Sequence, residues 1–187
     1  MKKIIVGVTG ASGTIYAIAL LQALQARSDV ETHLVLSAWA QKNLALETTL
    51  TLTDVKSLAD FNYSERDQGA KIASGSFLND GMIVVPASMK TVAGIACGFA
   101  DNLIGRTADV ALKERRKLII VPRETPLSTI HLENLLKLSR LGAQIIPPIP
   151  AFYNQPKTIN DIVNHTTMKL LDAVGISTDI SPRWQGD

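Results

Sequence analysis

The stretch that decides the fold is Gly7-Val8-Thr9-Gly10-Ala11-Ser12-Gly13, GVTGASG in one-letter code. It follows Lys3-Ile4-Ile5-Val6, a short β-branched run, and precedes Ile15 to Gln25, an Ala/Leu-rich helical run. Strand, glycine turn and helix in that order make a seat for an anion. The start of a helix offers free backbone N–H groups and a positive dipole end, and glycine lets a ligand approach closely. Glycines at 7, 10 and 13 do not match G-x-G-x-x-G, and no G-x-x-x-x-G-K-[ST] occurs. Two readings of the loop stay open at this point: a nucleotide-phosphate seat, or a tight turn that needs small residues.

The bulk composition narrows the class. A chain of 187 residues with 46% hydrophobic residues suffices for one domain with a sheet buried on both faces. Net charge is only +2, with both signs interspersed, which argues against nucleic acid as the partner. The lone Cys97 excludes an intramolecular disulfide and a multi-cysteine zinc site. No apolar run reaches the roughly 18 residues of a membrane span, and no signal-peptide pattern stands before the first strand. The expected setting is reducing and cytoplasmic.

Four further apolar runs read as buried parallel strands: Thr32 to Leu36, Met82 to Val85, Leu118 to Val121 and Ala143 to Ile146. None shows the polar alternation of a half-exposed sheet. Helical stretches are expected at Ala40 to Glu47, Lys90 to Ala100, Ala108 to Arg115 and Ser128 to Arg140, and a last one from Ile159 to Val174. Thr158 is placed to cap that helix and Gly175 to stop it. Strands and helices alternating at this spacing predict an α/β fold with a doubly wound parallel sheet, Rossmann- or flavodoxin-like. The chain, 1–187, reads as a single domain, with 176–187 as a C-terminal tail.

Ligands of such sheets bind beyond the carboxyl ends of the strands. Thr9, Gly10 and Ser12 follow the first strand, Ser37 the second, and Pro86-Ala87-Ser88-Met89-Lys90-Thr91 the third. Arg123-Glu124 follows the fourth, and the proline segment with Tyr153 the fifth. Any one of these serines could be a helix cap alone; their convergence on one edge points to a ligand. NAD-binding sheets place an acid about 20 residues past the loop, on the ribose. Here the second strand ends in Ser37, and Glu31 lies at its other end, which favours a mononucleotide. Tyr153-Asn154-Gln155-Pro156-Lys157 spells the Y-x-x-x-K of short-chain dehydrogenases, but Pro156 breaks the helix that pair requires.

Arg106 and Lys113 are seven apart, about two helical turns, and so share a face suited to a phosphate. Arg115, Arg116 and Lys117 read as a solvated helix end. His33 reads as a core histidine, and the three histidines, with His131 and His165, show no metal-ligand spacing. No metal site is expected.

VTGASG, PASMKTVAGIA, ADNLIGRTADVALKERRKLIIVPRETPL and PPIPAFY together resemble the motifs of the UbiX-like flavin prenyltransferases, a family long labelled aromatic acid decarboxylases. The likeness runs from the first strand into the last helix. It implies an assembly of twelve copies with sites at subunit interfaces. It also implies metal-independent transfer of a dimethylallyl group from dimethylallyl phosphate to N5 and C6 of reduced FMN. The product, prenylated FMN, then serves a separate aromatic acid decarboxylase. By position, the resemblance puts FMN on Gly10, Ala11, Ser12, Ser37, Ser88, Met89, Lys90, Thr91 and Arg123. It puts the prenyl phosphate on Arg106, Lys113, Tyr153, Lys169 and Trp184. It implies catalytic roles for Glu124, Lys113, Arg106, Ser12 and Glu47. Lys169 stands where many members carry arginine, a point charge in place of a fork. Two other readings fit parts of the pattern: a flavin-dependent cysteine decarboxylase, for which no substrate clamp is found, and a non-catalytic FMN carrier.

Overall fold

The computed structural model describes residues 1–186; Asp187, the last residue assigned to the tail, lies outside the described residues. Six parallel strands form one sheet: β1 (Lys2–Val8), β2 (Val30–Leu36), β3 (Phe61–Ser64), β4 (Gly81–Ala87), β5 (Leu118–Pro122) and β6 (Gln144–Ile145). Their order is β3-β2-β1-β4-β5-β6. The five strands legible in the sequence follow the flavodoxin order, and the edge strand β3 extends it to the Rossmann order. In both, the order reverses between β1 and β4, where two strands leave in opposite directions and a crevice opens.

The strands are buried on both faces, which explains their unbroken apolar runs. Ile4, Val6, Val8, Ile83 and Val85 pack against α1 (Thr14–Gln25) and α7 (Ile159–Ala173). Ile5, Met82, Val84 and Ile120 pack on the other face, against α4 (Met89–Cys97), α5 (Leu103–Lys113) and α6 (Thr129–Arg140). The predicted cap of α7 is present: the Asp161 N–H donates to Thr158 Oγ1 at 3.2 Å, and the Asp161 carboxylate accepts from the Thr158 N–H at 2.8 Å. Gly175 follows the helix at φ 76°, the left-handed conformation that ends it.

Three expectations about elements are corrected. The helix read over Lys90 to Ala100 stops at Cys97, because Gly98 turns left-handed at φ 73°. The next helix starts at Leu103 rather than Ala108, since the Asn102 side chain caps it by accepting from the Gly105 N–H at 2.9 Å. β3, and the short α3 (Leu52–Lys56) before it, are additional; α2 (Ala38–Glu47) was expected. Arg116 is not solvated: its guanidinium donates to the carbonyls of Phe77, at 2.7 Å, and Gly75.

His33 is the core histidine expected, fully buried between Tyr63 Oη at 2.9 Å and Glu31 Oε1 at 2.8 Å. Burial pushes its pKa below the ordinary 6.5, against the pull of Glu31 and with the help of the Lys71 and Lys3 charges. The unfolded chain then takes up a proton that the folded chain refuses. Stability is therefore full above pH 6.5 and falls as pH drops from there towards the folded-state pKa. His33→Gln, which keeps hydrogen-bonding groups without titrating, is expected to flatten urea-unfolding stability across that window. A slope equal to the wild type would place its origin in another group.

Candidate active site

The crevice is built by backbone joints at the carboxyl ends of β1, β2 and β4. Thr9 Oγ1 donates to the Pro86 carbonyl at 2.8 Å and accepts from the Ser88 N–H at 2.8 Å, tying the ends of β1 and β4 together. The Ser37 N–H donates to Val8 O at 3.0 Å, and its hydroxyl caps α2 by accepting from the Ala40 N–H at 3.1 Å. Ser88 caps α4 by accepting from the Thr91 N–H at 3.3 Å, and its hydroxyl lies 3.1 Å from Thr91 Oγ1. A cleft of about 380 Å³ opens between these caps, lined by Ser37, Trp39, Ser88, Lys90, Thr91 and Asn102.

Three helices start directly after β1, β2 and β4, and carboxylates hold N–H groups at two of these starts. Glu47 Oε2 accepts from the Gly13 and Thr14 N–H groups, at 2.9 and 2.8 Å, at the start of α1. Glu65 Oε1 accepts from the Ala38 N–H at 2.7 Å at the start of α2. α4 carries only hydroxyls, and among the described residues the Met89 and Lys90 N–H groups have no protein acceptor. Of the three, α4 alone has no carboxylate on its first N–H groups, so it presents two adjacent free donors and an uncompensated positive dipole end to an anion. The glycine loop reads in sequence as either a phosphate seat or a tight turn, and in the structure the Gly13 and Thr14 N–H groups at its helix start are held by Glu47. Burial pushes the Glu47 pKa up, but bonds from the Thr14 N–H, the Ser12 side chain and the Gly13 N–H outweigh that and hold it below the usual carboxylate range.

Gly10 meets a different demand: a Cβ there would overlap Trp39 Cβ, so glycine lets Trp39 cover the loop. Ala11 is buried beneath it, and Ser12 is exposed. Met89 points into the core, so at this turn it offers its backbone. Lys90 is 3.9 Å from Asp101. Arg123 lies beside the Ser88 turn, its N–H donating to Ala87 O at 3.2 Å. Glu124 is exposed and, among the described residues, accepts only from the Thr125 N–H, at 3.0 Å. Among the described residues neither side chain forms an ion pair.

The remaining predicted residues form two other groups. Arg106 and Lys113 do share a face of α5, directed at the turn over residues 73–76. Arg106 Nε donates to Ala73 O at 3.2 Å and Nη1 to Asp109 at 2.9 Å, while Lys113 pairs with Glu114. α5 starts at the carboxyl edge of the sheet and runs back for 11 residues, or about 16 Å, so Lys113 stands towards the amino edge. The third group lies on α7 and the tail. Tyr153 Oη is 3.1 Å from His165 Nε2, Trp184 packs edge-on against Tyr153 at 5.6 Å, and Lys169 is exposed one turn beyond His165. Gln155 is left-handed at φ 49° in this loop, so the Y-x-x-x-K pair is not helical.

Sequence reasoning missed Trp39, Glu65 and Asn102. Asn102, three residues before Gly105, carried a cap signal; Glu65 follows an edge strand that has no apolar run to announce it.

Fold and crevice together define a flavoprotein-type doubly wound domain, and the family model described as Flavoprotein matches residues 1–171. The chain belongs to the UbiX-like flavin prenyltransferase family. It is 69% identical to flavin prenyltransferase LpdB of Lactiplantibacillus plantarum over 187 residues, the whole of both chains. A dodecameric FMN-dependent UbiX-like decarboxylase from Escherichia coli O157:H7 superposes with a TM-score of 0.97 at 58% identity, covering 98% of this chain and 100% of that one. AnUbiX (PadA1), solved in complex with FMN and dimethylallyl pyrophosphate, superposes with a TM-score of 0.97 at 49% identity, covering 99% and 98%.

Proposed function

We propose that the protein transfers a dimethylallyl group from dimethylallyl phosphate to N5 and C6 of reduced FMN, and that the prenylated FMN passes to a partner aromatic acid decarboxylase. The observation that carries this reading is the free α4 start beside a cleft of about 380 Å³, in a chain of this family. The donor chemistry fits a flavin phosphate: backbone N–H groups of Met89 and Lys90, the hydroxyls of Ser88 and Thr91, and the nearby Arg123. Ser37, Gly10, Ala11 and Ser12 lie where the rest of the flavin would rest. Reduced FMN supplies the nucleophilic nitrogen and carbon.

Breaking an allylic C–O bond puts negative charge on phosphate and positive charge on carbon. Arg106, Lys113, Lys169 and the Tyr153 hydroxyl hold that phosphate, and Trp184 shelters the allyl group. Glu124, exposed and in no ion pair among the described residues, exchanges a proton with the phosphate or the flavin, while Ser12 and Glu47 orient the reacting edge. These groups are spread over three parts of one protomer, so the site is completed between copies, and the dodecameric relative supports this. The whole chain, 1–187, acts as one flavoprotein-type domain. Arg and Lys rather than a metal meet the phosphate. A cytoplasmic location accords with the described residues, among which no helix is long and apolar enough to cross a membrane.

The test supplies reduced FMN and dimethylallyl phosphate, with EDTA or with magnesium, and follows flavin mass and absorbance. Prenylation equal in both is expected. Unmodified flavin refutes the transfer, and turnover restored only by magnesium refutes the metal-free step. Titration with FMN and with NAD checks the cleft; preference for NAD overturns its assignment.

A further inference from the structure

We propose that Gly75 and Arg116 are positioning residues that aim Lys113, and with it Arg106, at the prenyl phosphate. The inference rests on the proposed function, in which those two cations meet that phosphate.

Lys113 ends α5, where a long side chain has many rotamers and little to hold it. The turn over residues 73–77 supplies the constraint. Arg106 Nε bonds Ala73 O at 3.2 Å at one end of this turn. Arg116 grips the other end through two carbonyls, Gly75 and Phe77, the second at 2.7 Å. Phe77 is wedged edge-on against the buried His33 ring at 5.0 Å, which anchors the turn to the sheet. The Lys113–Glu114 pair packs onto the turn at Gly75. A Cβ at residue 75 would come within 2.5 Å of Glu114 Oε1 and 2.9 Å of Lys113 Nζ. The missing side chain is thus the space that the Glu114 carboxylate and the lysine head paired with it share. Both overlapping atoms are tips of flexible side chains, so an alanine would push them aside rather than disrupt the fold. A guanidinium suits the grip because its planar fork reaches two acceptors at once, which an ammonium does not.

The experiment is a cycle of Gly75→Ala, Lys113→Ala and the double variant in the FMN-bound protein, read as kcat/KM for dimethylallyl phosphate, FMN affinity and oligomer mass. Gly75→Ala is expected to lower kcat/KM by about tenfold or more with FMN affinity and mass unchanged, since displacements near 1 Å carry costs of that order. In the Lys113→Ala background the same change is expected to alter kcat/KM by about twofold or less, because the lysine whose aim it disturbs is gone and Glu114 has no assigned part in the transfer. Arg116→Lys is expected to show the same dependence on Lys113. Effects that multiply independently overturn the proposal. So does loss of FMN binding or assembly in both Gly75→Ala and Arg116→Lys, which assigns the turn to folding instead. A Lys113→Ala protein at full rate overturns the site reading beneath it, an outcome distinct from an inert Gly75→Ala beside an impaired Lys113→Ala.

Discussion

Glu124→Gln and Lys113→Ala are expected to keep FMN at wild-type affinity and to slow prenylation by roughly 10²-fold or more, the scale of losing one preorganised electrostatic contact. Neither side chain lines the cleft between the α2 and α4 caps, and neither residue is bonded to the strand end before Ser88, whereas the Arg123 N–H donates to Ala87 O at 3.2 Å. Among the described residues Glu124 forms no ion pair and its carboxylate is exposed, so it is open to exchange a proton. Lys113 is 48% exposed at the side chain even while paired with Glu114, so it can turn to a phosphate. A group used only as charge develops lowers turnover without changing ground-state binding. Arg123→Ala makes the contrast. Arg123 lies beside the Ser88 turn, and its loss is expected to weaken FMN itself. Bound flavin, oligomer mass and single-turnover prenylation on each variant separate these effects. Assembled Glu124→Gln or Lys113→Ala protein that prenylates at the wild-type rate would remove that residue from the catalytic set.

The sheet was legible because its central strands are buried on both faces and therefore spell continuous apolar runs. β3 was not, since only its aromatic positions Phe61 and Tyr63 pack, and an exposed edge needs no apolar run. The α4–α5 boundary was hidden because a left-handed Gly98 and an Asn102 cap interrupt a stretch whose composition stays helical throughout. At the candidate site, hydroxyls and glycines at strand ends pointed to the edge where the cleft lined by Ser37, Ser88 and Thr91 opens. Which helix start remains open to an anion was not legible. That depends on Glu47 and Glu65, which lie 34 and 27 residues in sequence from the N–H groups of Gly13 and Ala38. The seven-residue spacing of Arg106 and Lys113 did report their common face. It could not report that the face looks onto the turn gripped by Arg116, because that contact joins segments 39 and 41 residues apart.

Thr9→Val is expected to lower both stability and FMN affinity, although valine has nearly the same shape. Thr9 is 3% exposed, and its hydroxyl makes two short bonds, donating to Pro86 O and accepting from the Ser88 N–H, each at 2.8 Å. The substitution leaves the Ser88 N–H without its acceptor in a part-buried position, while Pro86 O keeps the Thr9 N–H at 3.2 Å. An orphaned donor of this kind costs about 1–3 kcal/mol, and for a chain of this length each kcal/mol lowers Tm by roughly 2–4 °C. The damage is not confined to stability, because Ser88 is the cap of α4. Once its backbone is no longer tied to β1, the Ser88 hydroxyl and the Met89 and Lys90 N–H groups lose their common orientation, and these are the donors proposed for the flavin phosphate. FMN affinity is then expected to fall by about tenfold, the equivalent of one charge-assisted hydrogen bond. Thr9→Ser keeps the hydroxyl and gives up one methyl, so it is expected to lose about 1 kcal/mol of stability and to bind FMN normally. Thermal melts and FMN titrations of the two variants check the bridge. If Thr9→Val binds FMN as Thr9→Ser does, the orientation of the α4 start is set by Ser88 and Thr91 alone, and the tie between β1 and β4 is a matter of folding.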